Sequence, residues 1–140
     1  MALPPSITPF LDQITRWLAA EPGIEAALLV GSYARGAARA DSDFDLVFIC
    51  HAPRRYLDDN DWLGQFGEIA QLIDEDWGAL HSRRVFYAGG LEVEFGIASP
   101  QWAALDPLDP GTRRVVADGA QIILDKTGIL AALLRAVHSS

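Results

Sequence analysis

The chain is short of cysteine, of positive charge and of long apolar runs. Among its 140 residues Cys50 is the single cysteine, which excludes an intrachain disulfide and a cysteine-rich zinc site. Eleven Lys and Arg stand against nineteen Asp and Glu, a formal charge of −8. That balance argues against broad nucleic-acid binding, which rests on many contacts from cations to phosphates. No apolar run approaches the ~20 residues of a membrane span. The first residues, MALPPSITPF, lack the basic flank and apolar stretch of a secretory leader. There is no repeat, no low-complexity tract and no linker. The expectation is one cytoplasmic globular domain over residues 1–140, with half its residues apolar.

Several motifs are also absent. Gly31 and Gly36 have the spacing of a phosphate-binding loop, but Ala37 stands where lysine is required. Tyr33 breaks the dinucleotide-binding glycine pattern, and Leu46 and Ala52 break the calcium-loop pattern. His51, His81 and His138 have no ligand-like spacing. The paired arginines (Arg35 and Arg39, Arg54 and Arg55, Arg83 and Arg84, Arg113 and Arg114) read mostly as solvated surface.

What is present organises readily. Phe10, Leu11, Ile14, Trp17 and Leu18 recur at helical spacing. They predict a helix that Ser6 or Thr8 can cap, ending at Pro22-Gly23. IEAALLVGS and FDLVFIC predict buried strands, with a short helix or loop from Tyr33 to Ala38 between them. A further helix is expected from Asp61 to Leu72, with Trp62, Phe66, Ile69, Ala70 and Ile73 on one face. RRVFYAGGLEVEFGIA predicts a hairpin turning at Gly89-Gly90. SPQWAALDPLDPGT reads as loop with a helical turn, GAQIILD as a short strand and KTGILAALLRAV as a helix. Together these give an α/β (α+β) fold, a mixed β-sheet flanked by helices.

One stretch, VGSYARGAARADSDFDLVFI, is unlike generic core or surface. A strand ending in Gly31-Ser32 lets backbone approach a ligand closely. A helix starting there points free N–H groups outward, where a phosphate is favoured. Asp43 and Asp45, two apart in a strand, project from one face about 6.5–7 Å apart. Two carboxylates so placed cost stability unless a cation lies between them. Phosphate donors beside a carboxylate pair suit metal-dependent nucleotidyl or phosphoryl transfer. The alternative is a serine-glycine turn followed by a solvated acidic loop.

Gly31-Ser32, Ala34-Arg35-Gly36 and Ser42-Asp43-Phe44-Asp45-Leu46 resemble the G-S-x-x-x-G…[SD]-D-x-D-[LIV] signature of the DNA polymerase β-like nucleotidyltransferase superfamily. The nearest branch is that of small prokaryotic nucleotidyltransferases, minimal or aminoglycoside-adenylyltransferase-like. The signature occupies residues 31–46. The resemblance implies that Gly31 and Ser32, with Arg35 and Gly36 beside them, bind the nucleotide phosphates. It implies that Asp43 and Asp45 bind two Mg²⁺, and that a third carboxylate lies on a neighbouring strand. Glu92 and Glu94 share a face there. Glu94, between Val93 and Phe95, is the choice, as metal ligand or as the base for the acceptor hydroxyl. Arg35 fits a triphosphate contact or a structural ion pair; Arg39 is a weaker candidate.

The implied reaction moves a nucleoside monophosphate, in this reading AMP from ATP, to a hydroxyl of an acceptor that no residue identifies. Either a second chain, as a homodimer or a helical partner, completes the site for a small-molecule acceptor, or the acceptor is itself a protein; Trp62, Trp77 and Trp102 are candidate contacts. The alternative implied by the minimal branch is an antitoxin-like protein acting with a helical HEPN-type toxin. A third reading is a nucleotide-binding fold without catalysis.

Overall fold

The structure, a computed structural model, describes residues 7–39 and 42–139. Helix α1 (Thr8–Ala20) leads into β1 (Ile24–Val30), the short α2 (Gly31–Arg35) and β2 (Phe44–Cys50). A single turn, α3 (Arg54–Leu57), and a 3-10 helix (Asp61–Phe66) follow. Three strands come next, β3 (Ile69–Asp76), β4 (Leu80–Tyr87) and β5 (Glu92–Ala98). The chain continues through a 3-10 turn (Pro100–Ala103), α4 (Pro110–Ala117), β6 (Ala120–Asp125) and α5 (Ile129–His138). The six strands form one sheet in the order β3-β4-β5-β2-β1-β6. The β2–β5 pair is parallel and the other four are antiparallel.

The period of two in the strands sorts their side chains onto two cores. Phe44, Leu46 and Phe48 face Ile14 and Leu18 of α1 and Trp62 of the 3-10 helix. Val47 and Ile49 face the opposite layer, with Val116 of α4 and Leu130 and Leu133 of α5. The first core is aromatic: Trp17 stacks on Trp62 at 5.3 Å, and Phe95 meets Trp62 edge-on at 5.1 Å.

The two central strands, the Gly89-Gly90 hairpin, the last strand and the terminal helices lie where the sequence places them. Thr8 is the first residue of α1 rather than its cap; the position before it, Ile7, makes no side-chain cap bond, and Ser6 lies outside the described residues. Residues 99–112 hold the expected helical turn but also the start of α4. Asp109 caps that helix by accepting from Thr112 N at 3.0 Å, and Pro110 occupies its first turn.

The helix expected from Asp61 to Leu72 is not formed. Trp62 and Phe66 do belong to a helical turn, but it is 3-10 and stops at Gly67, whose φ of +154° favours glycine. Ile69, Ala70 and Ile73 lie in β3, paired with β4. The register shift between Ile69 and Gln71 lets Ile69 and Leu72, three residues apart, both pack against the first core. A bulged edge strand thus mimics helical periodicity. The surface reading of the arginine pairs also fails at Arg83, which is 2% exposed. It donates to the Tyr56 and Asp59 carbonyls, to Asp74 Oδ1 at 2.8 Å and to Asn60 Oδ1. Of the three tryptophans considered for a partner surface, Trp62 and Trp102 are buried and Trp77 is exposed.

Candidate active site

The acidic residues come together because β2 and β5 run side by side. Asp45 and Glu94 are direct partners in the parallel register. Asp43 lies two residues before Asp45, on the same face. One carboxylate oxygen from each of Asp43, Asp45 and Glu94 falls within 4.8 Å of the others. This face is opposite the aromatic core, on the side covered further along by α4 and α5.

Gly31 positions the cluster from the β1 side. Its φ is +76°, and a Cβ there would run into the Asp45 carboxylate. Glycine at the strand–helix junction therefore admits a carboxylate against the backbone. Gly36 closes α2 with φ +73°, its N–H donating to the Tyr33 carbonyl. Ser42 serves the loop: its Oγ accepts from Arg39 N at 2.7 Å and its N–H donates to Arg39 O. Asp41, the first aspartate of the run, lies outside the described residues.

A cavity of about 250 Å³ opens beside the cluster and is lined by Gly31, Arg35, Asp45, Glu94 and Gly96, with Val115 of α4. Arg35 packs its stem over Gly119, where a Cβ would lie 2.8 Å from Arg35 Cγ. The structural ion pair, the alternative role for Arg35, is not found among the described residues. Ser32 and Gly36 belong to the same turn but do not line the cavity. Arg39 is exposed.

The crowding of negative charge falls on Asp45. Burial, then hydrogen bonding and repulsion from Asp43 and Glu94, push the Asp45 carboxyl up to about 9. Asp45 Oδ1 is buried with no hydrogen-bond partner. Three convergent carboxylates with an orphaned buried oxygen fit a hard divalent cation, which takes oxygen ligands. Glu92, the other acid of the strand, instead turns toward Arg84, its Oε2 being 3.8 Å from Arg84 Nε.

Arg84 joins the site although no motif in the sequence marks it. Its Nη2 lies 3.3 Å from Glu94 Oε1. Burial opposes its charge, but Glu94, Glu75 and Asp43 outweigh burial and hold the guanidinium above its ordinary range. The alternation of β4 carries the signal: Arg83 and Arg84 must point to opposite faces.

The model of the family described as Streptomycin adenylyltransferase matches residues 6–140. Among solved structures, an aminoglycoside 6-adenyltransferase from Bacillus subtilis is similar, with a TM-score of 0.55 and 13% identity. The similarity covers 67% of this chain and 35% of that one. At that identity the likeness concerns the fold, a mixed sheet with flanking helices of nucleotidyltransferase type. No curated protein sequence matches the chain.

Proposed function

This chain belongs to the streptomycin adenylyltransferase family, whose chemistry is nucleotidyl transfer, and from that premise we propose that it transfers AMP from ATP to a hydroxyl acceptor with Mg²⁺ at Asp43, Asp45 and Glu94. The observation that carries this reading is the convergence of the three carboxylates, with the orphaned Asp45 Oδ1, beside a cavity that Asp45 and Glu94 line. Magnesium there would neutralise phosphate oxygens and align the attacking and leaving groups. The Gly31 turn forms the wall against which the triphosphate lies. Arg35, an exposed residue that lines the cavity, offers a fork-shaped cation for phosphate oxygens. Ser32 adds a hydroxyl from the same turn. The acceptor oxygen attacks the α-phosphorus, the bond from that phosphorus to the bridging oxygen breaks, and pyrophosphate leaves. The hydroxyl proton passes to a carboxylate of the cluster. No cavity residue singles out the acceptor.

Calorimetric titration with ATP, with and without Mg²⁺, tests the reading on the wild type and on the Asp43→Asn, Asp45→Asn double variant. The expected result is Mg²⁺-dependent binding by the wild type and none by the folded variant. Binding of equal strength in both proteins, or none of any nucleoside triphosphate to the wild type, overturns it.

A further inference from the structure

Arg84 stands between two sets of acids. Its Cα is the direct partner of Glu94 on one side and of Ile73 on the other. Residues opposite each other in such pairs share a face, and their diagonal neighbours lie within reach of long side chains. Arg84 Nη2 lies 3.3 Å from Glu94 Oε1 and 3.8 Å from Glu75 Oε1, and Arg84 Nε lies 3.8 Å from Glu92 Oε2. Its Nε is buried without a hydrogen-bond partner. Glu94 therefore has one oxygen engaged by the guanidinium and one left over, and its backbone neighbour across the sheet is Asp45.

A cation this close to a divalent site can act in two opposed ways. Its charge repels the metal, while its bond to Glu94 fixes a ligand that would otherwise be free to turn. Glu75 and Glu92 flank the same guanidinium and offset its charge, so the directional hold on Glu94 prevails. We propose that Arg84 is a positioning residue of the site, held by Glu75 and Glu92 and in turn orienting Glu94 toward Asp43 and Asp45. The inference rests on the reading of the three carboxylates as a divalent-cation site. Outer partners of this kind typically change metal affinity by ~10–100-fold when removed.

Mn²⁺ alone is the probe, titrated into the full chain without nucleotide and followed by electron paramagnetic resonance. Arg84→Met is expected to weaken Mn²⁺ binding by about 10-fold. Arg84→Lys is expected to recover part of the loss, since an ammonium reaches one carboxylate but cannot fork between them. In Glu94→Gln, adding Arg84→Met is expected to cost nothing further, because its target is already gone. Thermal unfolding in chelator checks that each variant is folded, and Arg84→Lys carries the comparison should Arg84→Met fail to fold. Unchanged or tighter binding in the Arg84 variants, or a further loss in the double variant, overturns the proposal. A wild type that binds no Mn²⁺, or an Asp43→Asn, Asp45→Asn variant that binds it equally well, overturns the underlying site with it.

Discussion

Asp45 and Glu94 are direct neighbours across the parallel β2–β5 pair, and the chain places both carboxylates on the face where Asp43 also projects. The arrangement has a cost that depends on pH. Asp45 is pushed from 3.8 up to about 9, so the folded chain keeps this proton where the unfolded chain has lost it. Metal-free protein therefore loses stability as pH rises from 3.8 towards about 9. Asp45→Asn removes the penalty. Its stability in chelator is expected to exceed the wild type by about 1–3 kcal/mol at pH 8, and the gain to shrink at pH 5. Urea unfolding at both values checks this; equal gains at both would contradict it.

Gly31 and Gly90 separate backbone strain from collision. Both have positive φ, +76° and +97°, but a Cβ at Gly90 meets nothing within 4 Å while one at Gly31 meets Asp45. Gly90→Ala is expected to cost ~1 kcal/mol from the backbone alone. Gly31→Ala adds displacement of a carboxylate and is expected to cost ~2–4 kcal/mol. Denaturant midpoints of the two variants, measured side by side, give the comparison.

Arg83 is a structural arginine. Its removal strands the Asp59 carbonyl and Asn60 Oδ1, leaves the Tyr56 carbonyl with the Trp62 indole N–H as its donor, and loosens the segment between β2 and β3 from the sheet. Arg83→Met is expected to destabilise by ~2–4 kcal/mol. Arg54→Met, in a pair that is 77% and 60% exposed, is expected to stay within about 0.5 kcal/mol. Unfolding curves for the two place a buried and a solvated arginine on one scale.

The central elements were legible because local chemistry specifies them. Gly31-Ser32 must end a strand, and Phe44, Leu46 and Phe48 must alternate with Asp45 and Val47. Glu94 was legible for the same reason, as a charge set between Val93 and Phe95. The strand β3 was not legible, because its bulge spaces Ile69 and Leu72 as a helix would. Its strand character comes from pairing with β4, a tertiary contact absent from the local pattern. Arg83 and Arg84 form an identical dipeptide motif to Arg54 and Arg55, and only the neighbouring strands decide which arginine is buried and which faces the acids.

The register between β2 and β5 acts as an alignment jig. Phe44, Leu46 and Phe48 are packed beneath one strand, and Val93, Phe95 and Ile97 beneath the other. A slip of β5 by one residue would turn Val93, Phe95 and Ile97 away from this core and present Val93 or Phe95 where Glu94 stands. Spacing errors in the site are thus penalised by the loss of three packed apolar side chains and by the drive of the Glu94 charge into an apolar layer. Substitutions that soften this aromatic layer would blur the chemistry on the far side of the sheet without touching a reacting group.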